Sequence, residues 1–277
     1  MFRIGLSSCG KGCGRELFEQ YAKAGITAME VSPSSDEYDG FDFGSAGRLS
    51  KEYGVELWSF HLPFLPFGAI DISRPDLAGY TVGYFETLIR SGAAIGIKKF
   101  IVHPSGEPID DADRPARTET AKKSLAALAK FASRYGAVIC VEDLPRTCLG
   151  RDSGEIAELL TADVRLRVCF DTNHLLTESP EAFIKKIGEK IVTTHVSDYD
   201  FIDEKHWLPG EGKVDWQSLV RALESVGYNG VWLYELGFGS PSTLTRERDL
   251  DCFDFVRNAE EIFSGAPLTL VPSEKTV

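Results

Sequence analysis

The chain alternates short apolar runs with longer segments in which apolar residues recur at helical spacing. The short runs are rich in β-branched residues and are bounded by polar, Gly or Pro positions, which is typical of β-strands. Eight strands are predicted in this way. They cover residues 2–8, 26–32, 55–63, 98–104, 137–145, 166–172, 190–198 and 230–236.

Amphipathic segments lie between the predicted strands. The clearest is 215–227, where five apolar side chains recur at helical spacing and form one stripe. They are Trp216, Leu219, Val220, Leu223 and Val226. Similar periodicity predicts helices over residues 76–90 and 245–263.

This alternation predicts an α/β protein that folds as a single (β/α)8 TIM barrel over residues 1–263. Several of the runs are apolar almost throughout, as expected for parallel strands buried on both faces. An open doubly wound sheet is the alternative, because nothing in the pattern requires closure. Residues 264–277 contain two prolines and interspersed polar residues. This composition predicts a C-terminal tail that is either a loose end or an arm onto a neighbouring subunit.

Composition narrows the classes of partner. The 277 residues include 42 acidic and 30 basic side chains, a net charge of −12, so no overall field attracts nucleic acid or an anionic membrane. The opening MFRIGLSSCG lacks the charged start and long apolar region of a signal peptide, and no apolar run approaches the ~20 residues that span a bilayer. We expect a cytoplasmic protein without a membrane partner, and nucleic acid is disfavoured.

Histidines and acids concentrate at the ends of the predicted strands, where barrel enzymes carry their chemistry. All five histidines lie there or in the loop just beyond: His61, His103, His174, His195 and His206. Four acids are placed similarly: Glu142, Asp171, Asp198 and Glu235. Carboxylates at the ends of apolar strands are costly to bury unless they are paired or bound to metal.

Four of these residues come from successive predicted strands and can converge on one point: Glu142, Asp171, His195 and Glu235. Three carboxylates with one imidazole suit a divalent ion such as Mn²⁺, Zn²⁺, Co²⁺ or Mg²⁺. For any single acid, capping of the next helix is the simpler role, and Asp198 can be explained in that way.

At these residues the sequence resembles the xylose-isomerase-like TIM-barrel superfamily of sugar phosphate isomerases and epimerases, in particular its ketose 3-epimerase-like members, which are related to AP endonuclease family 2. The resemblance extends from the first strand to about residue 263. It is carried, in this order and spacing, by SFHLPF, FIVHPSG, VICVEDLPRTCLG, VCFDTNHLL, THVSDYD, HWLPGEGKVDW and GYNGVWLYE. Together these stretches are specific for the superfamily but not for one activity.

The resemblance implies an isomerase or epimerase of a small-molecule sugar or sugar phosphate, acting through a metal-stabilised enediolate. Glu142, Asp171, His195 and Glu235 correspond to the ligands of one divalent ion. Glu142 and Glu235 are also implied to be catalytic: one takes the proton next to the carbonyl and the other returns it on the opposite face. The residues implied to bind substrate are His61, His103, His174 and His206; the last stands where these epimerases often carry arginine.

Two other activities share the superfamily. In its AP endonucleases three zinc ions hydrolyse a phosphodiester, and the extra ligands would correspond to His61, His103, His174, Glu204 and His206. An inosose-dehydratase-like lyase would need the same enolate chemistry. A homo-oligomer is expected by analogy. Apolar walls for the substrate are expected from Trp58, Phe64, Phe67, Trp207 and Phe238.

Overall fold

The computed structural model describes residues 1–9, 11–64 and 70–276, and it contains all eight predicted strands. Each strand lies within its predicted segment, because the apolar runs mark the buried part of each strand and the polar residues mark its ends. The strands are β1 (Arg3–Ser7), β2 (Ala28–Val31), β3 (Glu56–His61), β4 (Lys99–Val102), β5 (Val138–Glu142), β6 (Arg167–Asp171), β7 (Ile191–His195) and β8 (Val231–Tyr234).

The eight strands form one parallel sheet that curls into a barrel. Consecutive strands from β1 to β7 are neighbours, and β8 pairs with β1. The two ends of the sheet meet just beyond β7 and at the end of β8, where Val196 bridges Tyr234 in parallel. The Val196 N–H donates to the carbonyl of Leu233 at 2.8 Å. The single (β/α)8 barrel is therefore confirmed, and the open sheet is wrong.

Helices follow the strands and cover the outside of the barrel. They are α1 (Arg15–Ala24), α2 (Phe43–Tyr53), α3 (Ala78–Ala94), α4 (Arg114–Ser133), α5 (Ser153–Leu160), α6 (Pro180–Ile187), α7 (Trp216–Ser225) and α8 (Cys252–Ser264). The predicted stripe on α7 is buried at Trp216, Leu219, Val220 and Leu223. In the described part of the chain, none of the helices has the length and apolar character that crossing a membrane requires.

The helix predicted over 245–263 begins later than expected. Asp251 caps α8 and forms a capping box with Asp254, which fixes the first turn there. The preceding residues form a short strand, β9 (Leu244–Arg246), which pairs antiparallel with β10 (Ser273–Lys275). Residues 273–275 of the predicted tail therefore pair with a strand of the same chain.

Side chains fill the barrel interior below its carboxyl end. Trp58 lies near the opposite, amino end, because it comes early in β3, and its indole N–H donates to Thr193 Oγ1 at 3.0 Å. The expectation that it forms a wall of the substrate site is wrong. Ile101, Cys140 and Cys169 pack together as a buried cluster. The barrel is therefore a filled core, and the histidines and carboxylates predicted for the site lie at its carboxyl rim.

A buried ion pair joins β9 to the loop after β7. The guanidinium of Arg246 donates two hydrogen bonds of 2.8 Å to the carboxylate of Glu211. The two side chains are 0% and 1% exposed. Glu211 also accepts from the N–H of Leu208 at 2.7 Å, so the pair fixes the Pro-Gly turn that follows His206.

We expect Arg246→Met to lower the free energy of unfolding by about 3–5 kcal/mol, because it leaves Glu211 as a buried charge without its partner. Glu56→Gln is the matched control, since Glu56 pairs with Arg3 at the surface, where both side chains are about half exposed. That control should cost less than about 1 kcal/mol. Urea denaturation of both variants measures the difference, and equal losses would contradict this account.

Candidate metal centre and active site

Four strand-end residues converge at the carboxyl end of the barrel. The Nδ1 atom of His195 lies 2.8 Å from Glu142 Oε1, 3.1 Å from Glu235 Oε2 and 3.8 Å from Asp171 Oδ2. One ligand atom from each of the four residues lies within 4.8 Å of the others. The structure thus brings together the set that the sequence predicts, from the ends of β5, β6 and β7 and the residue after β8.

The ligand atoms of these four residues suit a divalent cation. Asp171 Oδ2 is buried and has no hydrogen-bond partner among the described residues, whereas its Oδ1 accepts from the N–H of Asn173 at 2.6 Å. A buried carboxylate oxygen without a donor is costly unless a cation neutralises it. Carboxylate oxygens and an imidazole nitrogen match Mn²⁺, Co²⁺, Zn²⁺ or Mg²⁺, and the set does not distinguish these ions.

Three other histidines have one ring nitrogen hydrogen-bonded to a backbone carbonyl. In a neutral imidazole that nitrogen donates, so the other one keeps its lone pair for a ligand or a substrate hydroxyl. The pairs are His61 Nδ1 with Leu62 O at 2.8 Å, His174 Nδ1 with Asp143 O at 2.8 Å, and His206 Nδ1 with Glu235 O at 3.2 Å.

Two further groups adjoin the four-residue centre. The Nε2 atoms of His61 and His103 lie 3.2 and 3.1 Å from Glu142 Oε2. On the other side, His174 Nε2 lies 3.4 Å from Glu204 Oε2. His206 completes this second group. All five additional ligands of the AP endonuclease alternative therefore lie in these two groups.

Burial opposes charge throughout the centre. It prevails at Asp171, whose pKa rises to about 6, whereas neighbouring charges outweigh it at His61, Glu142 and Glu235. Burial lowers the pKa of His61, but the hydrogen bond and charge of Glu142 raise it to about 9. Burial raises the pKa of Glu142, yet the imidazoles of His195 and His103 bring it well below its ordinary value. The pKa of Glu235 falls to about 2, because His195 outweighs burial. Glu142 and Glu235 are therefore ionised at neutral pH.

A cavity of about 570 Å³ opens above the centre. His61, His103, His174, His206 and the two glutamates of the centre line it, together with an apolar wall. The apolar lining includes Pro63, Phe64, Ile72, Phe85 and Leu144. The volume exceeds what a hexose occupies, and it lies within the range of small-molecule sites.

Of the aromatic residues expected in this wall, Phe64 lies there and stacks on His103, with ring centroids 4.3 Å apart. Trp207 instead donates its indole N–H to Thr243 Oγ1 at 3.0 Å, facing away from the cavity lining. Phe238 packs on Phe255 of α8. Phe67 falls outside the described residues.

The mouth of the cavity carries an excess of negative charge. Arg146 forms ion pairs with Glu107 at 2.6 Å, Asp203 at 2.7 Å and Glu204 at 3.2 Å. One guanidinium thus faces three carboxylates. This arrangement is unfavourable for a nucleic-acid backbone, whose phosphates are held by unpaired Lys and Arg side chains.

Asp198 does not cap a helix. It is buried, and it accepts hydrogen bonds from the N–H of Gly210 at 2.8 Å and the indole of Trp216 at 3.0 Å. The cap of α7 is Asp215. Asp198 therefore organises the loop that carries His206.

Glu30, the penultimate residue of β2, was not among the predicted site residues, and it is fully buried beside His195. Its carboxylate oxygens lie 3.0 and 3.1 Å from His195 Nε2, on the opposite side of the ring from the centre. The signal was available, because Glu30 is an acid within the apolar run ITAMEVS, just as Glu142 ends VICVE.

Cation binding is expected to release protons. Burial lowers the pKa of His195, but the neighbouring Cys169 and the carboxylates of Glu235, Glu30 and Glu142 hold it well above its usual value. Both ring nitrogens therefore carry a proton at neutral pH, and a cation must displace the proton on Nδ1. The apparent affinity for Mn²⁺ should therefore increase as the pH is raised above neutrality. Calorimetry in two buffers of different ionisation enthalpy measures the protons released; a heat that is independent of the buffer would contradict this expectation.

The chain is similar in sequence to a known protein family and to several known proteins. A family model described as xylose isomerase-like TIM barrel matches residues 18–254. An uncharacterized protein of Methanocaldococcus jannaschii is 25% identical over 230 residues, which cover 80% of this chain and 83% of the relative. The fructoselysine 3-epimerase of Escherichia coli is 32% identical over 63 residues, 23% of each chain.

Solved structures of ketose 3-epimerases share the fold. A D-tagatose 3-epimerase-like protein superposes with a TM-score of 0.80 at 21% identity, over 95% of this chain and 97% of that one. D-psicose 3-epimerase, crystallised in the presence of D-fructose, superposes with a TM-score of 0.75 at 18% identity, over 95% and 98%. The family model spans most of the barrel, so the chain belongs to the xylose isomerase-like TIM barrel family.

Proposed function

We propose that the protein is a divalent-metal-dependent isomerase or epimerase of a ketose or ketose phosphate. The observation that carries the proposal is the contact of two ionised glutamates with one imidazole nitrogen, Nδ1 of His195. Glu142 reaches it from β5 and Glu235 from beyond β8, and β6 and β7 lie between those strands. The two carboxylates therefore approach one small volume from different sides, as proton transfer at opposite faces of a carbon requires.

The reaction class follows from the acidity of the bond to be broken. A hydrogen next to a carbonyl is too weak an acid for a carboxylate unless the developing negative charge is stabilised. A divalent cation held by the centre would supply positive charge to the substrate oxygens. One of Glu142 and Glu235 then takes the proton, and the other, after it has gained a proton from solvent, returns one on the opposite face. Each proton transfer contributes a factor of about 10²–10⁴.

The surrounding histidines suit a polyhydroxylated substrate. His61, His174 and His206 each have Nδ1 bonded to a backbone carbonyl, so Nε2 is the ring nitrogen that can bond a substrate oxygen. All three line the cavity. The names of the similar proteins, fructoselysine and D-psicose 3-epimerase, support the same class of substrate.

We expect Glu235→Gln at saturating Mn²⁺ to slow the appearance of deuterium-labelled epimer in D₂O by about 10²–10⁴-fold, because an amide can neither take a proton on one face nor return it on the other. Exchange is followed by NMR on a panel of ketoses, with bound Mn²⁺ measured in parallel. Glu107→Gln is the control, since Glu107 lines the same cavity but pairs with Arg146 at its mouth. A Glu235→Gln protein that keeps its metal and exchanges normally would exclude the proton-transfer role.

The second candidate is a trinuclear zinc phosphodiesterase. The observation that favours it is the pair of three-residue groups beside the centre, His61 with His103 and Glu142, and His174 with Glu204 and His206. The acids around Arg146 at the mouth argue against a DNA backbone.

A duplex carrying a single abasic site, incubated with zinc-saturated protein, tests this candidate. On the epimerase proposal the duplex stays intact while ketose exchange proceeds in the same preparation. Cleavage that is lost in His206→Ala, without any ketose exchange, would replace the epimerase with the hydrolase.

A further inference from the structure

The carboxylate of Glu30 lies behind the imidazole of His195. Glu30 is 0% exposed, and its Oε2 accepts a 2.7 Å hydrogen bond from the hydroxyl of Ser59 on β3. Both of its oxygens lie 3.0–3.1 Å from His195 Nε2. Ser59 and His195 are the hydrogen-bond partners that the described residues provide to it.

The imidazole of His195 has carboxylates on both sides. Nδ1 faces Glu142, Glu235 and Asp171 at 2.8, 3.1 and 3.8 Å. Among the described residues, Glu30 is the acid that Nε2 contacts. In a neutral imidazole one nitrogen carries the hydrogen and the other presents a lone pair. Without Glu30, the hydrogen would be drawn to Nδ1 and its acids, and that nitrogen could not bind a cation.

We propose that Glu30 is a positioning residue that keeps the hydrogen of His195 on Nε2, so that the lone pair of Nδ1 faces the metal centre. The inference rests on the proposed metal centre. A buried carboxylate is costly to maintain, and a backbone carbonyl serves this purpose for His61 and His174. A full negative charge is needed behind His195, because it must compete with the acids in front of the ring.

Metal affinity tests the inference independently of turnover. We expect Glu30→Gln to weaken Mn²⁺ binding by about 10–100-fold, since a neutral amide competes poorly for the hydrogen. Ser59→Ala keeps the carboxylate but removes one of its donors, and should weaken binding by about three- to tenfold. The control Glu56→Gln, a surface change on the same strand as Ser59, should bind Mn²⁺ as the wild-type protein does. Thermal unfolding of each variant shows that the barrel is folded.

A double-mutant cycle separates positioning from a general structural effect. If Glu30 acts through the ring, Glu30→Gln has no further effect on Mn²⁺ affinity in a His195→Gln background. In Zn²⁺-loaded protein with ¹⁵N-labelled histidine, the Nε2–H signal of His195 should be protected from exchange with water and should lose that protection in Glu30→Gln.

Three results would overturn the inference: wild-type Mn²⁺ affinity in folded Glu30→Gln, equal losses in both backgrounds, or a Zn²⁺-loaded His195 with its hydrogen on Nδ1. The failure of the proposed reaction looks different. In that case Mn²⁺ affinity would depend on Glu30 as described, while no ketose exchanged its proton with solvent.

Discussion

The centre depends on the contacts that the imidazole of His195 makes. Its ring lies between Glu30 of β2 and the three acids from β5, β6 and the end of β8. A barrel places these strand ends around one axis, so residues distant in sequence meet at the rim. The rotation of one buried ring thus determines whether three carboxylates and a nitrogen can share a cation.

Electrostatics explains why the centre calls for positive charge. Four carboxylates surround one ring in a volume from which water is largely excluded, and such an arrangement is strongly unfavourable without cations. Protons on His61 and His195 supply part of that charge, which is why their pKa values are raised. A divalent ion can take the place of those protons, and this exchange links the acid–base properties of the site to metal binding.

The hydrophobic pattern predicted all eight strands, and strand ends predicted the four residues of the centre. Both predictions rest on the spacing of apolar residues and on the positions of polar residues along the chain, which can be read directly from a sequence. Side-chain direction and partners are set by tertiary contacts, so Trp58 and Phe238 were assigned to the wrong surroundings. The late start of α8 depends on the pairing of β9 with β10, distant residues whose contact leaves no local signal. Glu30 could have been found from its position near the end of a strand. Its contact with His195, on the other side of the barrel, could not have been predicted from the sequence.

The most direct test of the account is the number of divalent ions per chain in protein purified without added metal or chelator, measured by elemental analysis. The account predicts about one ion, bound where Glu142, Asp171, His195 and Glu235 meet. Close to three zinc ions per chain would mean that the two flanking groups are ligand sets as well. The single-ion centre proposed for ketose chemistry would then be wrong.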